Sequence, residues 1–414
     1  MKRYDVIVIG AGPAGLMSAI YCKSSSTLVL EKMPSPGIKL LISGSNQCNI
    51  THDGSVDGFY RRYGRADNFV KYTLKNFSNK DLISFFESRG IQFTVTDHGK
   101  IFPRSSRSKD ILDAIIDECR NRLVTLAVGE PVKTVEPMPS GGFHCTTAYN
   151  NYRCKYLVIA TGGKSYPKTG SSGDGYRLAQ SLGHSIVTPK PALAPVIAED
   201  YDLAGLAGVS LQDKTVSLWR GNKKIASEQG SILLTHTGLS GPCILNISRY
   251  AQHGDILRID LAGSACLSFT QFKDILSKSN NLQISTVLRN MNIPRQLACA
   301  IVTKAGVQPS QQVNSIKKDM RRQVYELVGG LPFTVKSTGG FDEAIVTAGG
   351  VERTEITART MQSKLNPNLF FAGEIIDVDG DEGGYNLQFA FSSGMLAGSS
   401  ISNLLSNEKN CRAE

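Results

Sequence analysis

The chain opens on an apolar stretch that is followed at once by glycines and then by a helix-like segment. Tyr4–Ile9 is rich in β-branched residues and has no polar break after Asp5, a pattern typical of a strand buried on both faces of a parallel sheet. The small and apolar residues of Leu16–Cys22 favour a helix, and Thr27–Leu30 favours a second strand. The pattern therefore predicts a strand–turn–helix–strand unit.

Similar patterns return later in the chain. Tyr156–Ala160 and Asn368–Gly373 are typical of buried strands, and an apolar helix is expected at about Leu387–Leu405. Between them, prolines at 189, 191 and 195 mark a crossing into alternating, turn-rich sequence, and Thr270–Val328 has helical periodicity. These features predict an α/β domain built from both chain ends and interrupted by a β-rich and helical insert.

The first part of this domain is expected to contain further helices and a small meander. The helices are predicted at Asp81–Arg89, Ser108–Leu123 and Ser172–Leu182. Val124–Thr147 alternates and turns near Pro137, which predicts a small antiparallel meander.

Composition places the chain among ordinary globular proteins. Its 414 residues, 41% hydrophobic and 20% charged, fit two or three domains. The 40 glycines are clustered in short motifs, which indicates backbone that approaches a ligand closely. The apolar runs are shorter than the roughly 20 residues of a membrane helix, and polar residues, glycine and proline interrupt the N-terminal segment. We therefore expect neither a membrane partner nor a signal peptide.

Cysteine and charge add two expectations. The nine cysteines include no CxxC pair and form no cluster with the six histidines, which favours free thiols in a reducing cytoplasm and no metal site. The net charge is +10, and residues 270–330 carry many of the basic side chains. A solvated helical face is the favoured interpretation, and a surface for an anionic partner is the alternative.

The segment after the first strand has the GxGxxG spacing in the context that supports it. Gly10 permits a tight turn, Gly12 lets the backbone approach a pyrophosphate, and Gly15 allows close contact between helix and sheet. The helix N-terminus then faces the phosphates. Glu31, at the end of the second strand and followed by Lys32, is suited to accept hydrogen bonds from ribose hydroxyls, which favours FAD or NAD over NADP. The residues expected at this turn are Gly10, Ala11, Gly12, Pro13, Ala14 and Gly15.

The remainder of the chain favours FAD over NAD. Ala160-Thr161-Gly162 and Gly373-Glu374 end later strands in the places where two-dinucleotide-binding flavoproteins have such turns. A simple NAD dehydrogenase has no reason to return to its nucleotide domain at the C-terminus. The glycines of Gly383-Gly384-Tyr385-Asn386-Leu387 would turn backbone N–H groups toward a flavin ring, so Gly384, Asn386 and Leu387 complete the motif-based set.

Taken together, these motifs resemble those of the BaiN/YhiN-like flavoproteins, also called aminoacetone-oxidase-like FAD-binding enzymes. The resemblance covers nearly the whole chain and includes GAGPAG, ATGGKSYPKTGSSGDGY, LTHTGLSGP and AGEIIDVDGDEGGYNLQFAFSSG. It implies non-covalent FAD, a β-barrel-like insert and a small helical domain. It also implies FAD contacts for Lys39, Ser43, Gly44 and Asn49, and an adenine contact for Val132.

The expected fold is thus α/β, with a Rossmann-like FAD-binding domain of the two-dinucleotide-binding flavoprotein type, an inserted β-barrel-like domain and a small helical domain. The expected boundaries are 1–189 and 351–414 for the FAD-binding domain, 190–269 and 331–350 for the β-rich insert, and 270–330 for the helical subdomain.

The resemblance implies hydride transfer between flavin N5 and a small or medium organic substrate. Reduction of conjugated 3-oxo steroid enones and oxidation of aminoketones are both implied, with NAD(P)H or oxygen left open as redox partner. His236 is a candidate proton donor, although a structural role in its glycine-rich turn is favoured. Tyr385 is equally suited to donate a hydrogen bond to substrate or to pack.

An RNA-modifying flavoprotein that uses the basic helical segment is the alternative function. Phe272 and Tyr325 are the only aromatic residues between 271 and 330, which disfavours a nucleic-acid partner, since such surfaces interleave aromatic with basic side chains.

Overall fold

The computed structural model describes residues 2–24, 26–263 and 267–411. They form two compact units, divided between Pro191 and Ala192 and again between Glu343 and Ala344. Both chain ends belong to the first unit, and the interrupting segment forms the second.

The first unit is organised around a parallel sheet. Leu369–Phe371, Asn151–Ile159, Lys2–Ile9, Thr27–Leu30 and Thr125–Ala127 lie side by side in that order, each parallel to its neighbour. The apolar run of the first strand explains its central place, because Val6, Ile7 and Val8 have no exposed surface. Two short antiparallel strands, Ile356–Thr357 and Gln362–Ser363, extend the edge beside Leu369–Phe371.

The predicted meander is partly wrong. Thr125–Ala127 is a parallel strand of the main sheet, paired with Thr27–Leu30. Only Val132–Pro137 and Phe143–Thr147 pair antiparallel, and Phe143–Thr147 continues antiparallel into Asn151–Ile159. Thr125–Ala127 follows a crossover helix, Ser108–Asn121, and a parallel pairing is the usual outcome of such a connection.

Helices and small sheets complete the first unit. The remaining helices of eight or more residues are Pro13–Tyr21, Asp67–Asn76, Asn79–Glu87, Asp174–Ser181 and Glu382–Cys411, and the shorter ones are Ile38–Leu41 and Val56–Tyr60. Thr51–His52, Lys100–Pro103 and Phe93–Val95 form a small antiparallel sheet, and Ile186–Ala192 pairs with Val346–Val351.

The helices at the two chain ends pack in close contact. A Cβ atom on Gly394 would lie 2.3 Å from the carbonyl oxygen of Ala14, and one on Gly398 would lie 2.4 Å from that of Ser18. The contacts advance by four residues on both helices, so Pro13–Tyr21 and Glu382–Cys411 run in the same direction. Glycine is therefore required at both positions.

The second unit contains a closed six-stranded barrel. Its order is Val196–Ala198, Gly238–Ser240, Lys223–Leu234, Ser210–Arg220, Ile256–Asp260 and Leu331–Thr338, with antiparallel neighbours throughout. Alternate side chains such as Val216, Leu218, Leu257 and Ile259 have no exposed surface. Period-two alternation in the sequence thus becomes the interior of a barrel.

Helices pack against this barrel within the second unit. They are Pro242–Ser248, Phe269–Ser277, Ile284–Asn290, Arg295–Lys304 and Lys318–Gly329. Ser268 begins the second of them with a reciprocal capping box to Gln271. Apolar side chains of these helices, including Phe272 and Leu297, join the barrel residues in one buried cluster.

The fold agrees with the α/β architecture and barrel insert expected from sequence. The domain boundaries stay predictions; they assign 331–350 to the insert, whereas Val346–Val351 pairs with Ile186–Ala192. Among the described helices, none combines the length and apolar character that a membrane span requires.

We expect Gly394→Ala to destabilise the protein, because its methyl group would overlap the Ala14 carbonyl. Overpacking of this kind costs about 1–3 kcal/mol, and Tm from thermal denaturation should fall measurably. Gly329→Ala is the matched control: it also lies in a helix, and nothing stands within 4 Å of its Cβ position. Equal Tm values for the two variants would contradict the close helix contact.

Candidate dinucleotide-binding site

In the glycine loop after the first strand, two glycines are packed against neighbouring backbone and a third has free space at its Cβ position. A Cβ on Gly10 would lie 2.5 Å from the Ala160 carbonyl, and one on Gly15 would lie 1.9 Å from the Gly10 carbonyl. Gly12 has nothing within 4 Å of its Cβ position and caps the helix Pro13–Tyr21 without a side-chain hydrogen bond. The loop is therefore tight against the protein at two glycines and accessible at the third, as a pyrophosphate at a helix N-terminus requires.

Glu31 is held in place next to this loop. One carboxylate oxygen accepts a hydrogen bond from the Ala11 backbone N–H at 2.8 Å, and the other accepts one from the Met33 N–H at 2.9 Å. Each carboxylate oxygen has a second lone pair, so the group keeps capacity for ribose hydroxyls. Lys32, by contrast, pairs with Asp174 at 2.6 Å, so its side chain turns toward the start of the helix Asp174–Ser181.

The predicted turns meet at the carboxyl ends of the parallel strands. Ala160 follows Asn151–Ile159 and lies against Gly10, and Gly373 follows Leu369–Phe371. A Cβ on Gly373 would lie 2.7 Å from the Ala14 side chain. Turns far apart in sequence thus surround the first helix N-terminus, which is the usual ligand position in an open α/β sheet.

Glu374 is the centre of a hydrogen-bonded network. Its carboxylate accepts hydrogen bonds from the Thr347 backbone N–H at 2.8 Å, from the Ser165 hydroxyl at 3.1 Å and from Lys39 Nζ at 2.8 Å. Lys39 also donates to Ser165 at 2.7 Å. The carboxylate therefore positions Lys39, and the backbone around Gly37 reaches the glycine loop through its N–H bond to the Ala11 carbonyl at 2.9 Å.

A second group of predicted residues lies where the C-terminal helix begins. A Cβ on Gly384 would lie 2.8 Å from Asn49 Nδ2 and 2.9 Å from His52 Cδ2, so the glycine permits this contact. Asn49 is buried, and its side-chain oxygen accepts the Ile101 N–H at 3.3 Å. The structure thus brings Asn49 and Gly384 together from opposite ends of the chain.

A charged and aromatic cluster at this position adds Lys100, His52 and Glu382 to the predicted residue Tyr385. Lys100 Nζ lies 2.8 Å from Glu382 Oε2, and His52 Nε2 lies 3.4 Å from the same oxygen. The His52 ring stacks on Tyr385 with centroids 4.3 Å apart. Burial acts to raise the pKa of Glu382, but the neighbouring His52 and Lys100 side chains lower it to about 2. No motif signals this cluster, because His52 and Lys100 are distant in sequence from Glu382 and Tyr385.

Several predicted residues take part in local contacts instead. Asn386 bonds the backbone of Gly380 and of Glu382, which shapes the loop before the helix. The Ser43 hydroxyl donates to the Leu40 carbonyl at 2.7 Å. The other predicted cofactor residues lie in the first unit on loops, strand ends or the C-terminal helix; they are Gly44, Val132, Thr161, Gly162 and Leu387. Their contacts with FAD stay predictions.

The two candidate catalytic residues lie in different units. Tyr385 is buried in the first unit, where Phe59 and Tyr63 contact its ring edge-on, and burial raises its pKa. His236 is exposed in the turn between two barrel strands of the second unit. Both roles stay predictions.

Acidic residues before the C-terminal helix are neutralised by basic partners. Arg353 faces Asp377 at 3.5 Å, and Arg62 faces Asp381 at 3.6 Å. In the part of the chain that the structure describes, no group of three His, Cys, Asp or Glu residues is arranged to hold a metal ion.

The described thiols are unpaired. Seven cysteines are free, and burial raises the pKa of Cys48 to about 12, so this thiol stays protonated at neutral pH. Cys266 and the side chain of Cys411 lie outside the described residues.

Comparison with known proteins defines the class: the protein is a FAD-dependent flavoprotein oxidoreductase. It belongs to the family described as HI0933-like protein Rossmann domain, whose model matches residues 4–400.

The relatives are similar along almost their full length. The chain is 30% identical over 406 residues to a ribosomal RNA dihydrouridine synthase of Escherichia coli, covering 95% of this chain and 96% of the relative. It is 29% identical over 403 residues to a 3-dehydro-bile acid delta(4,6)-reductase of Clostridium scindens, covering 94% and 97%. A ribosomal RNA dihydrouridine synthase of Haemophilus influenzae is 30% identical, covering 97% and 100%.

Solved structures share the fold at low identity. A 3-ketosteroid delta1-dehydrogenase from Sterolibacterium denitrificans has a TM-score of 0.52 at 11% identity, covering 98% of this chain and 100% of that one. The FrdA subunit of E. coli quinol fumarate reductase has a TM-score of 0.50 at 14% identity, covering 99% and 72%.

The residues at the glycine loop fit the cofactor of the family. The open position at Gly12, the helix N-terminus behind it and the fixed carboxylate of Glu31 match a pyrophosphate and a ribose.

We expect Glu31→Ala to weaken FAD binding about tenfold to a hundredfold, because a charged hydrogen-bond acceptor is worth roughly 1.5–3 kcal/mol. Titration of the apoprotein with FAD, followed by flavin fluorescence, measures the change. Glu136→Ala, a substitution of an exposed glutamate on the strand Val132–Pro137, serves as the control. Unchanged affinity in Glu31→Ala would remove Glu31 from the site.

Proposed function

We propose that the protein reduces a carbon–carbon double bond conjugated to a carbonyl group, and that its substrate is a uracil base of ribosomal RNA. The names of two relatives denote formation of dihydrouridine, in which C5=C6 of uracil, conjugated to the C4 carbonyl, becomes saturated. The name of a third denotes reduction of double bonds conjugated to a 3-oxo group. The two reactions share their chemistry although their substrates differ.

The exposed basic surface of the helical segment is the observation that supports an RNA substrate. Of nine Lys and Arg side chains between residues 270 and 330, eight are exposed and Arg321 is half-buried; the eight are Lys273, Lys278, Arg289, Arg295, Lys304, Lys317, Lys318 and Arg322. Only Asp274, Asp319 and Glu326 oppose them in this segment. Such a surface attracts the phosphate groups of RNA, and the net charge of +10 adds long-range attraction for the same polyanion.

The sequence motifs alone favour a small organic substrate, whereas the basic segment together with the relatives favours RNA. The shortage of aromatic side chains fits recognition of folded RNA through its phosphates better than stacking along a single strand. A uracil within a stack must be turned out of it before reduction.

A small conjugated ketone is the second candidate substrate. It rests on the relative from Clostridium scindens, and it needs the same transfer to the double bond.

The reaction adds a hydride to one carbon and a proton to its neighbour, so the substrate gains two electrons and two protons. FAD reduced by NAD(P)H would supply the hydride, so NAD(P)H is the proposed source of both electrons. The chain itself holds the cofactor at the glycine loop, and the Glu374 network fixes Lys39. His236 is the proposed proton donor to the carbon that does not receive hydride.

The decisive experiment measures dihydrouridine. Mass spectrometry should show that ribosomal RNA from a strain lacking the gene loses dihydrouridine, and the gene in trans should restore it. The purified protein with NADPH or NADH should then form dihydrouridine in RNA from the deletion strain. An unchanged dihydrouridine content, together with turnover of a 3-oxo steroid dienone, would establish the second candidate instead.

We expect Lys317→Glu/Lys318→Glu to weaken RNA binding more than tenfold and to flatten its salt dependence, because phosphate contacts release counterions. Filter binding over a salt series measures both effects. Lys80→Glu/Lys75→Glu, which alters exposed lysines of the first unit, is the charge-matched control. Equal losses in the two double variants would place RNA elsewhere.

We expect His236→Ala to slow oxidation of reduced flavin by the organic substrate by about a hundredfold, within the range for general acid catalysis. FAD content and the flavin spectrum should be unchanged, as expected for an exposed turn. Stopped-flow absorbance measures the half-reaction. Loss of FAD or of folding would assign His236 a structural role.

A further inference from the structure

The direction of the two terminal helices determines where the C-terminal helix begins. Because Gly394 contacts Ala14 and Gly398 contacts Ser18, the helices run parallel, and residue 393 is level with Pro13. The C-terminal helix begins at Glu382, so it extends about 11 residues, or roughly 16 Å, beyond the N-terminus of the first helix. A dinucleotide whose pyrophosphate lies at the first helix can extend along this overhang.

The overhanging end carries a fixed set of charges. Lys100 lies 2.8 Å from the Glu382 carboxylate, and the two side chains are 27% and 25% exposed. His52 approaches the same carboxylate at 3.4 Å and stacks on Tyr385. Glu382 occupies a left-handed backbone conformation, φ 53°, which is rare for a non-glycine residue. Such strain is kept where the surrounding structure holds it.

The position of the acid is unfavourable for a cofactor that becomes more negative on reduction. A helix N-terminus stabilises negative charge, and Glu382 in the first turn of the helix offsets part of that effect toward any other anion nearby. Lys100 offsets Glu382 in turn. The Glu382 carboxylate and the Lys100 ammonium group therefore act in opposite directions on a charge near this end of the helix.

We propose that Glu382 and Lys100 set the reduction potential of the bound flavin from opposite directions. Two-electron reduction takes up two electrons and one proton and adds one negative charge to the flavin ring. The Glu382 carboxylate disfavours that charge, and the Lys100 ammonium group favours it. This inference needs FAD and is independent of the substrate.

The test is the reduction potential of purified, FAD-loaded protein, equilibrated with a reference dye during slow enzymatic reduction. At a fixed potential, Glu382→Gln should raise the ratio of reduced to oxidised flavin about tenfold, which is about 30 mV for a two-electron couple. Lys100→Met should lower the ratio about tenfold, and the double variant should return within about threefold of wild type.

Charge-matched controls separate a local effect from a general one. Lys109 and Asp113 form an exposed pair at 2.6 Å, so Lys109→Met and Asp113→Asn should leave the potential unchanged because solvent screens them. Lys100→Arg should keep the wild-type potential. Shifts of the same sign in both single variants, or shifts no larger than those of the controls, would overturn the proposal. If Glu382→Gln does not retain FAD, the difference in reduction potential between Lys100→Met and Lys100→Arg still tests the proposal.

Discussion

The contact between the first helix and the C-terminal helix is the constraint on which the first unit depends. The glycine loop alone provides only part of a cofactor site, because a single strand–turn–helix unit contacts only the pyrophosphate. Gly394 and Gly398 let the backbone of the last helix lie directly on Ala14 and Ser18. The last helix also contacts the turn at Gly373, which lies against Ala14. Closing a chain over such a separation has an entropic cost, which extensive apolar burial must offset.

Carboxylates that accept hydrogen bonds from protein groups give the site its fixed geometry. Glu31 links two backbone N–H groups, and Glu374 links Thr347, Ser165 and Lys39. Charge-assisted bonds of this kind are stronger than neutral ones, so each carboxylate holds segments that are far apart in sequence. A preorganised site of this type loses less entropy when the cofactor binds.

Local sequence patterns predicted the elements that depend on local physics. Thr27–Leu30 is a strand with the expected bounds, since its apolar β-branched run suits a position buried on both faces. The apolar run predicts a helix that begins near Leu387, since Gly383 and Gly384 favour a loop, but the helix begins at Glu382. The alternating pattern around Thr125–Ala127 predicts a meander strand, but this strand pairs in parallel with Thr27–Leu30. Pairing direction is not encoded in the strand itself.

The residues of the candidate site differ in the same way in how well the sequence predicts them. Motif residues such as Gly12 and Glu31 could be identified because their role depends on spacing within one unit. The Lys100–Glu382 pair could not, because it depends on how two distant segments approach. Lys100 belongs to a small antiparallel sheet whose neighbouring strand holds His52, and this sheet brings both side chains to the start of the last helix. Motifs therefore predict which cofactor binds, whereas the ion pair at the start of the last helix depends on tertiary structure.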